Sequence, residues 1–276
     1  MVGAGSHPPL GDYFCHFSEH RRALWDPHDP ASFLALKERL DDTYNNGGNL
    51  KDMQTLLGLN RNEDGLLWDD YVASIVKLPH SMYWDPMHCE YAAGGNVQYL
   101  LNDFALVLTE HGFDLRDLDD FTRTCTKHSL SKKIWQTRVV HRKGAHIRAF
   151  ASEVLEALGV LFLFCDAVVT PAGVMDDHVK AVKLARDVAL ILGDARNIML
   201  NVDKLEELQA SYQELAQQLC GTKPKNHYTR HIVDCINRWK KLFSCWAPER
   251  DHQRSKQIAI HQKKSKKSLR AQSWTA

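Results

Sequence analysis

The sequence predicts a mainly α fold, a helical bundle, on three observations. Apolar residues recur at three- and four-residue intervals along most of its 276 positions, the period of a helix with one buried face. No block alternates apolar and polar residues over several short segments, as a half-buried sheet requires. Gly, Pro and Asn clusters fall where the periodic runs stop.

Taken in order, PASFLALKERLDDTY (30–44) and LKDMQTLLGL (50–59) read as two short helices with NGGN between them as a breaker. NRNEDG (60–65) is a turn, and LLWDDYVASIV (66–76) is the next helix. The segment from Pro79 to Pro86 is irregular and holds the one strand candidate, Ser81 to Trp84. After Gly94 and Gly95, NVQYLLNDFALVLTEHG (96–112) forms a helix ended by Gly112, and LRDLDDFTRTC (115–125) continues the pattern. A basic stretch, KKIWQTRVVHRKG (132–144), precedes three long helices. The first keeps Ile147, Phe150, Ala151, Val154, Leu155, Leu158, Phe162 and Cys165 on one face, and the second runs from Met175 to Gly193. The third carries Val202, Leu205, Leu208, Tyr212, Leu215 and Leu219 along a narrow packing seam. These stripes read as core and receive no chemistry.

Composition narrows the classes. Hydrophobic content of 44% and charged content of 25% are globular values, which excludes global disorder. A net charge of +1 gives the whole chain no electrostatic pull on nucleic acid, but Arg250 to Ala276 carries eight Lys or Arg against one acid. Seven scattered cysteines, odd in number and never in a CxxC pair, read as reduced thiols of a nuclear or cytoplasmic protein. MVGAGSHPPLGDY shows no signal peptide. ALGVLFLFC (157–165) is about half a membrane span and reads as a core helix, so no membrane partner is expected.

Two stretches carry candidate chemistry. In SMYWDPMHCEYAAGGNVQYLLNDF (81–104), Asp85, His88 and Cys89 cluster at the entry to a helix. Asp85 before Pro86 suits a helix cap, and the same residues suit a metal-holding corner. In TKPKNHYTRHIVDCINRWKKLFSCWAPERDHQRSKQ (222–257), His227, His231 and Cys235 recur every four residues on one helix face. That spacing fits zinc ligands, and it equally fits a packed face. Glu249, among Arg250, Arg254 and Lys256, suits either the helix dipole or a divalent cation for phosphoryl transfer. Lys132, Lys133, Arg142 and Lys143, with Trp135 interleaved, Arg250, Arg254 and Lys256 around Glu249, and the tail lysines Lys263, Lys264, Lys266 and Lys267 are candidate contacts to DNA.

Together these segments resemble transposases of the En/Spm (CACTA) type and related transposase-like proteins of protist genomes. WDPMHCEYAAGGNVQYLL resembles their D-x-M-H, glycine, helix signature; KPKNHYTRHIVDC their K-P-K-x-H-x-x-x-H helix; and SCWAPERDHQRSK their C-x-x-x-E-R-x-H-x-x-x-K segment. GLNRNEDGLLW resembles the approach to the first motif, and the likeness runs over about residues 10 to 260 in order. The resemblance implies an RNase H-like core that cuts and joins DNA with carboxylates and two magnesium or manganese ions, interrupted by an all-helical insertion. Asp85 and Glu249 would be catalytic, and Asp85, His88, His227, His231 and Glu249 would hold metal. His227 and His231 match a zinc-binding histidine pair of related enzymes, for which Cys89, Cys235 and Cys245 are the nearby thiols.

The chain lacks the family's CxxC segment and first-strand aspartate, so the expectation is the C-terminal part of a transposase, incomplete in its core, inactive alone and weak in zinc binding. Its organisation is expected as an N-terminal helical segment (1–80), a D-x-M-H core segment (81–130), a helical insertion standing off as its own bundle (131–220), C-terminal core helices (221–260) and a disordered basic tail (261–276). The alternatives are a non-catalytic helical protein that binds nucleic acid or a protein partner through basic surfaces, and a zinc-dependent hydrolase.

Overall fold

The computed structural model describes residues 30–57, 61–62, 68–75, 83–125, 133–221 and 223–246. Within them the chain is mainly α, and no strand occurs among the described residues. The strand candidate therefore finds no support at Tyr83 and Trp84, while Ser81 and Met82 lie outside the described residues. The sheet that an RNase H-like core implies is likewise not seen among them.

The helices are α1 (Pro30–Asn45), α2 (Leu50–Leu57), α3 (Asp70–Ile75), α4 (Asn96–Glu110), α5 (Leu115–Cys125), α6 (Ile134–Arg138), α7 (Ala151–Phe164), α8 (Asp176–Gly193), α9 (Val202–Cys220) and α10 (Pro224–Trp239). A five-residue π turn, Met87–Tyr91, leads into α4, and a second, Cys165–Val169, extends α7. Short π segments inside helical runs are rare and concentrate at functional sites.

Helix α4 organises the core. Val97, Leu100, Leu101, Phe104, Ala105 and Leu108 are all buried, so its apolar surface wraps most of its circumference and needs cover on several sides. Cover comes from α5, α7, α8 and α9, whose Leu118, Leu158, Leu161, Val182 and Tyr212 join the same cluster. The expected separation of 131–220 as a standing-off bundle is thus replaced by a shared core. An insertion can stand off only if the element it leaves is already covered, and α4 is not.

A second apolar cluster lies against the first. Trp84 and Cys89 meet Val188, Ile198, Leu205 and, from α10, Tyr228, Ile232 and Ile236. The run from Ala151 to Ala172 is long and apolar enough to cross a membrane, with mean hydropathy 1.9. Val154, Ala157, Leu158, Leu161 and Phe164 pack one side of it into the core, and its outer side carries Leu155, Leu163 and Asp166, the last paired with Lys183 at 2.9 Å.

Candidate functional site

The corner before α4 is held by Asp85. Its Oδ2 accepts the backbone N–H of His88 at 3.0 Å, the bond a helix cap makes to the third residue of its turn, with Pro86 in the first position. The same oxygen takes a short hydrogen bond with His88 Nδ1. Its other oxygen, Oδ1, accepts the backbone N–H of Cys245 at 2.9 Å, a contact across 160 residues. Asp85 therefore caps the turn, and it also stands beside groups of types that can ligate a metal. One ligand-type atom from each of Asp85, His88 and Cys245 lies within 4.8 Å of the others. Tyr83 Oη stands 3.4 Å from the Cys245 sulfur, and burial followed by that sulfur pushes its phenol up.

Helix α10 clamps this corner from the other side. Lys225 Nζ donates to the carbonyls of His88 (2.7 Å) and Ala93 (2.8 Å), and Trp84 stacks on Tyr228 with ring centres 4.4 Å apart. His231 turns its Nδ1 to Asp234 at 3.1 Å and lies 6.1 Å from the Trp84 ring. It does not join Asp85 and His88 in a ligand cluster among the described residues. Cys235, on the same face, is buried in the apolar cluster, and burial raises its thiol. The His227 side chain lies outside the described ones, as do Glu249, Arg250, Arg254, Lys256, Lys132 and the tail lysines Lys263, Lys264, Lys266 and Lys267.

The basic stretch divides. Lys133, Arg142 and Lys143 are exposed, the last two on a turn completed by Gly144 at φ 73°. Trp135, expected to be interleaved with them, is fully buried and donates its Nε1–H to Thr122 Oγ1 at 2.9 Å. An indole so placed anchors α6 to α5 and cannot stack on a base.

Sequence reading missed the buried polar cluster beneath the corner. Glu90, in the π turn, is 1% exposed, beside the side-chain amides of Asn96 and Gln209. Among the described residues neither of its oxygens forms a geometrically sound hydrogen bond, and Asn96 Oδ1, both Gln209 amide atoms and the Tyr212 hydroxyl are equally unpaired. Desolvation drives the Glu90 carboxyl up to about 8, against the pull of those amides and of the Lys225 charge. The neutral acid supplies an O–H donor to a cluster with unpaired acceptors. Gln209 and Gln213 beside Tyr212 on the α9 seam were the available sign, since two amides on a packing face need buried partners.

A magnesium or manganese pair needs several oxygen ligands. Here a single carboxylate with both oxygens engaged faces an imidazole and a thiol, so the described residues do not fit that pair. Carboxylate, imidazole and thiol are ligand types that zinc takes, and three of them leave one tetrahedral position open. Searches of family models, of curated proteins and of solved structures find no match to this chain.

Proposed function

We propose that this chain is a transposase-like protein, DNA-handling by descent, that binds nucleic acid and does not cleave it unaided. One observation carries the reading: the segments bearing the three resembling motifs converge. Asp85 and His88 of the D-x-M-H corner bond to Cys245 of the C-x-x-x-E-R segment and to Lys225 of the K-P-K-x-H helix, across 160 and 137 residues. A helical protein whose motif matches were accidental would have no reason to bring those three together. The absence of cleavage follows from the carboxylate set. In-line phosphoryl displacement uses two metals held together, and Asp85 is committed to backbone and imidazole donors.

The test is incubation of the pure full chain with supercoiled plasmid and magnesium or manganese. The expected result is retained, shifted plasmid without nicking. Metal-dependent nicking abolished by Asp85→Asn would overturn the conclusion. The grouping of Asp85, His88 and Cys245 favours a second reading, a zinc-dependent hydrolase. Elemental analysis with an ester and peptide hydrolysis assay separates the two: the first expects less than one zinc per chain, whereas equimolar zinc and hydrolysis lost together on Cys245→Ser favour the second.

A further inference from the structure

Beside the corner, a cavity of about 520 Å³ opens between the π turn, the end of α6 and the start of α7. Its rim carries His88, Arg138, Arg148, Phe150, Ser152 and Trp246. We infer that this cavity is a nucleotide-binding site, taking a phosphate ester on Arg138 and Arg148 and an aromatic base against Phe150 and Trp246.

The arginines are the first argument. The Arg148 backbone N–H donates to the Arg138 carbonyl at 2.9 Å, which ties the two positions side by side. The rim is fixed rather than loose: buried Gln98 donates to Ala149 O at 2.8 Å, and its backbone carbonyl accepts from Ile147 at 3.1 Å. Neither guanidinium has an ion-pair or side-chain hydrogen-bond partner among the described residues; Arg138 is half-buried and Arg148 is exposed at the rim. A guanidinium drawn out of water without an acceptor is unfavourable, and five N–H donors in a fork match a phosphate. The neighbouring acids do not serve them. Asp85 is engaged by His88 and Cys245, and Glu153 Oε2 accepts the Phe150 N–H at 2.9 Å.

The aromatic residues are the second argument. Phe150 occupies the N-cap position of α7, where a side-chain oxygen ordinarily accepts the first N–H groups; a phenyl ring cannot. The ring is 65% exposed and borders the cavity, so it contributes neither a cap nor core packing. The first turn of α7, without a side-chain cap, borders the cavity together with the two arginines, and the bare ring offers a stacking face that any base can use. Trp246 lines the cavity as well, its ring centre 6.0 Å from that of Tyr91.

The site needs no metal, so binding is measured by calorimetry in EDTA on the full chain, which separates its failure from that of the metal readings. Probes are thymidylate, a thymidine tetranucleotide, thymidine and inorganic phosphate. Thymidylate and the tetranucleotide should bind at least tenfold more tightly than thymidine or phosphate. A tetranucleotide preference assigns the end of a strand, and equal affinity assigns the free nucleotide. Arg138→Gln and Arg148→Gln should each weaken binding about tenfold, and Phe150→Ser several-fold, with circular dichroism unchanged. Phosphate binding as tightly as thymidylate reveals an adventitious ion only and overturns the inference. So does an equal loss on neutralising Arg142 and Lys143, which would make the effect one of diffuse charge.

Discussion

Burial shields the Glu90 carboxyl from solvent, with no geometrically sound hydrogen bond among the described residues, so its protonation is coupled to folding. Below pH 4.5, its ordinary value, both the folded and unfolded chains hold the proton. Between there and about 8 the unfolded chain has released it and the folded chain has kept it, so stability falls as pH rises. The slope is about 1.4 kcal/mol per pH unit at most, and it ends once the folded carboxyl also ionises. Glu90→Gln keeps the shape and removes the charge. Urea midpoints measured at about pH 5 and about pH 8 should decline for the natural chain relative to the variant. Parallel lines for the two proteins would show that Glu90 is ionised in the folded state. Asp85 was legible from sequence because Asp before Pro at a helix entry is a local signal. Glu90 was not, because the burial that raises it, and the Gln209 amide and Lys225 charge that oppose the rise, arise only when α9 and α10 pack against the turn.

At the scale of elements, helix positions were legible because their periodicity is local, as in α4, α8 and α9, which begin within a residue or two of the expected points. Two things were not. Helix α6 was hidden because Trp135 stands among cations and reads as surface until Asp119 and Thr122 of α5 are seen to hold it. The corner glycines read only as a break. Gly94 has φ 73°, which strains any side chain. Gly95 is a matter of space: a Cβ there would meet the Glu90 carbonyl oxygen at 2.4 Å and that of Ala92 at 2.8 Å. Both are backbone atoms of the turn that presents His88 and Glu90, so they cannot move aside without moving the site. Gly95→Ala should therefore destabilise by about 1–3 kcal/mol, the range for forced overpacking. It should also weaken nucleotide binding, because Ala92 and Ala93 line the cavity. A denaturation midpoint unchanged by Gly95→Ala would mean that the turn is looser than its geometry.

For the whole molecule, the decisive quantity is how charge is distributed. Residues 1–249 carry 27 Lys or Arg against 33 acids, a net charge of −6, and the eight cations and one acid after them bring the chain to +1. On that distribution the tail is where duplex DNA is expected to bind, while the cavity at Arg138 and Arg148 lies in the basic stretch that also holds exposed Lys133, Arg142 and Lys143. Two binding modes follow, and salt separates them. A polybasic tail that neutralises Z phosphates gives a slope of roughly −0.9Z in log affinity against log salt on duplex DNA. Deleting residues 262–276 removes Lys263, Lys264, Lys266, Lys267 and Arg270. The magnitude of that slope should fall by up to about four to five, and duplex affinity at moderate salt should collapse. Thymidylate binding should survive the same deletion, since one phosphate releases few counterions and the two arginines remain. Fluorescence anisotropy with labelled duplex across a salt series, paired with calorimetry for the nucleotide, reads both. An unchanged duplex slope after the deletion would place the phosphate contacts on the body, with Lys133, Arg142 and Lys143 the first cations to neutralise.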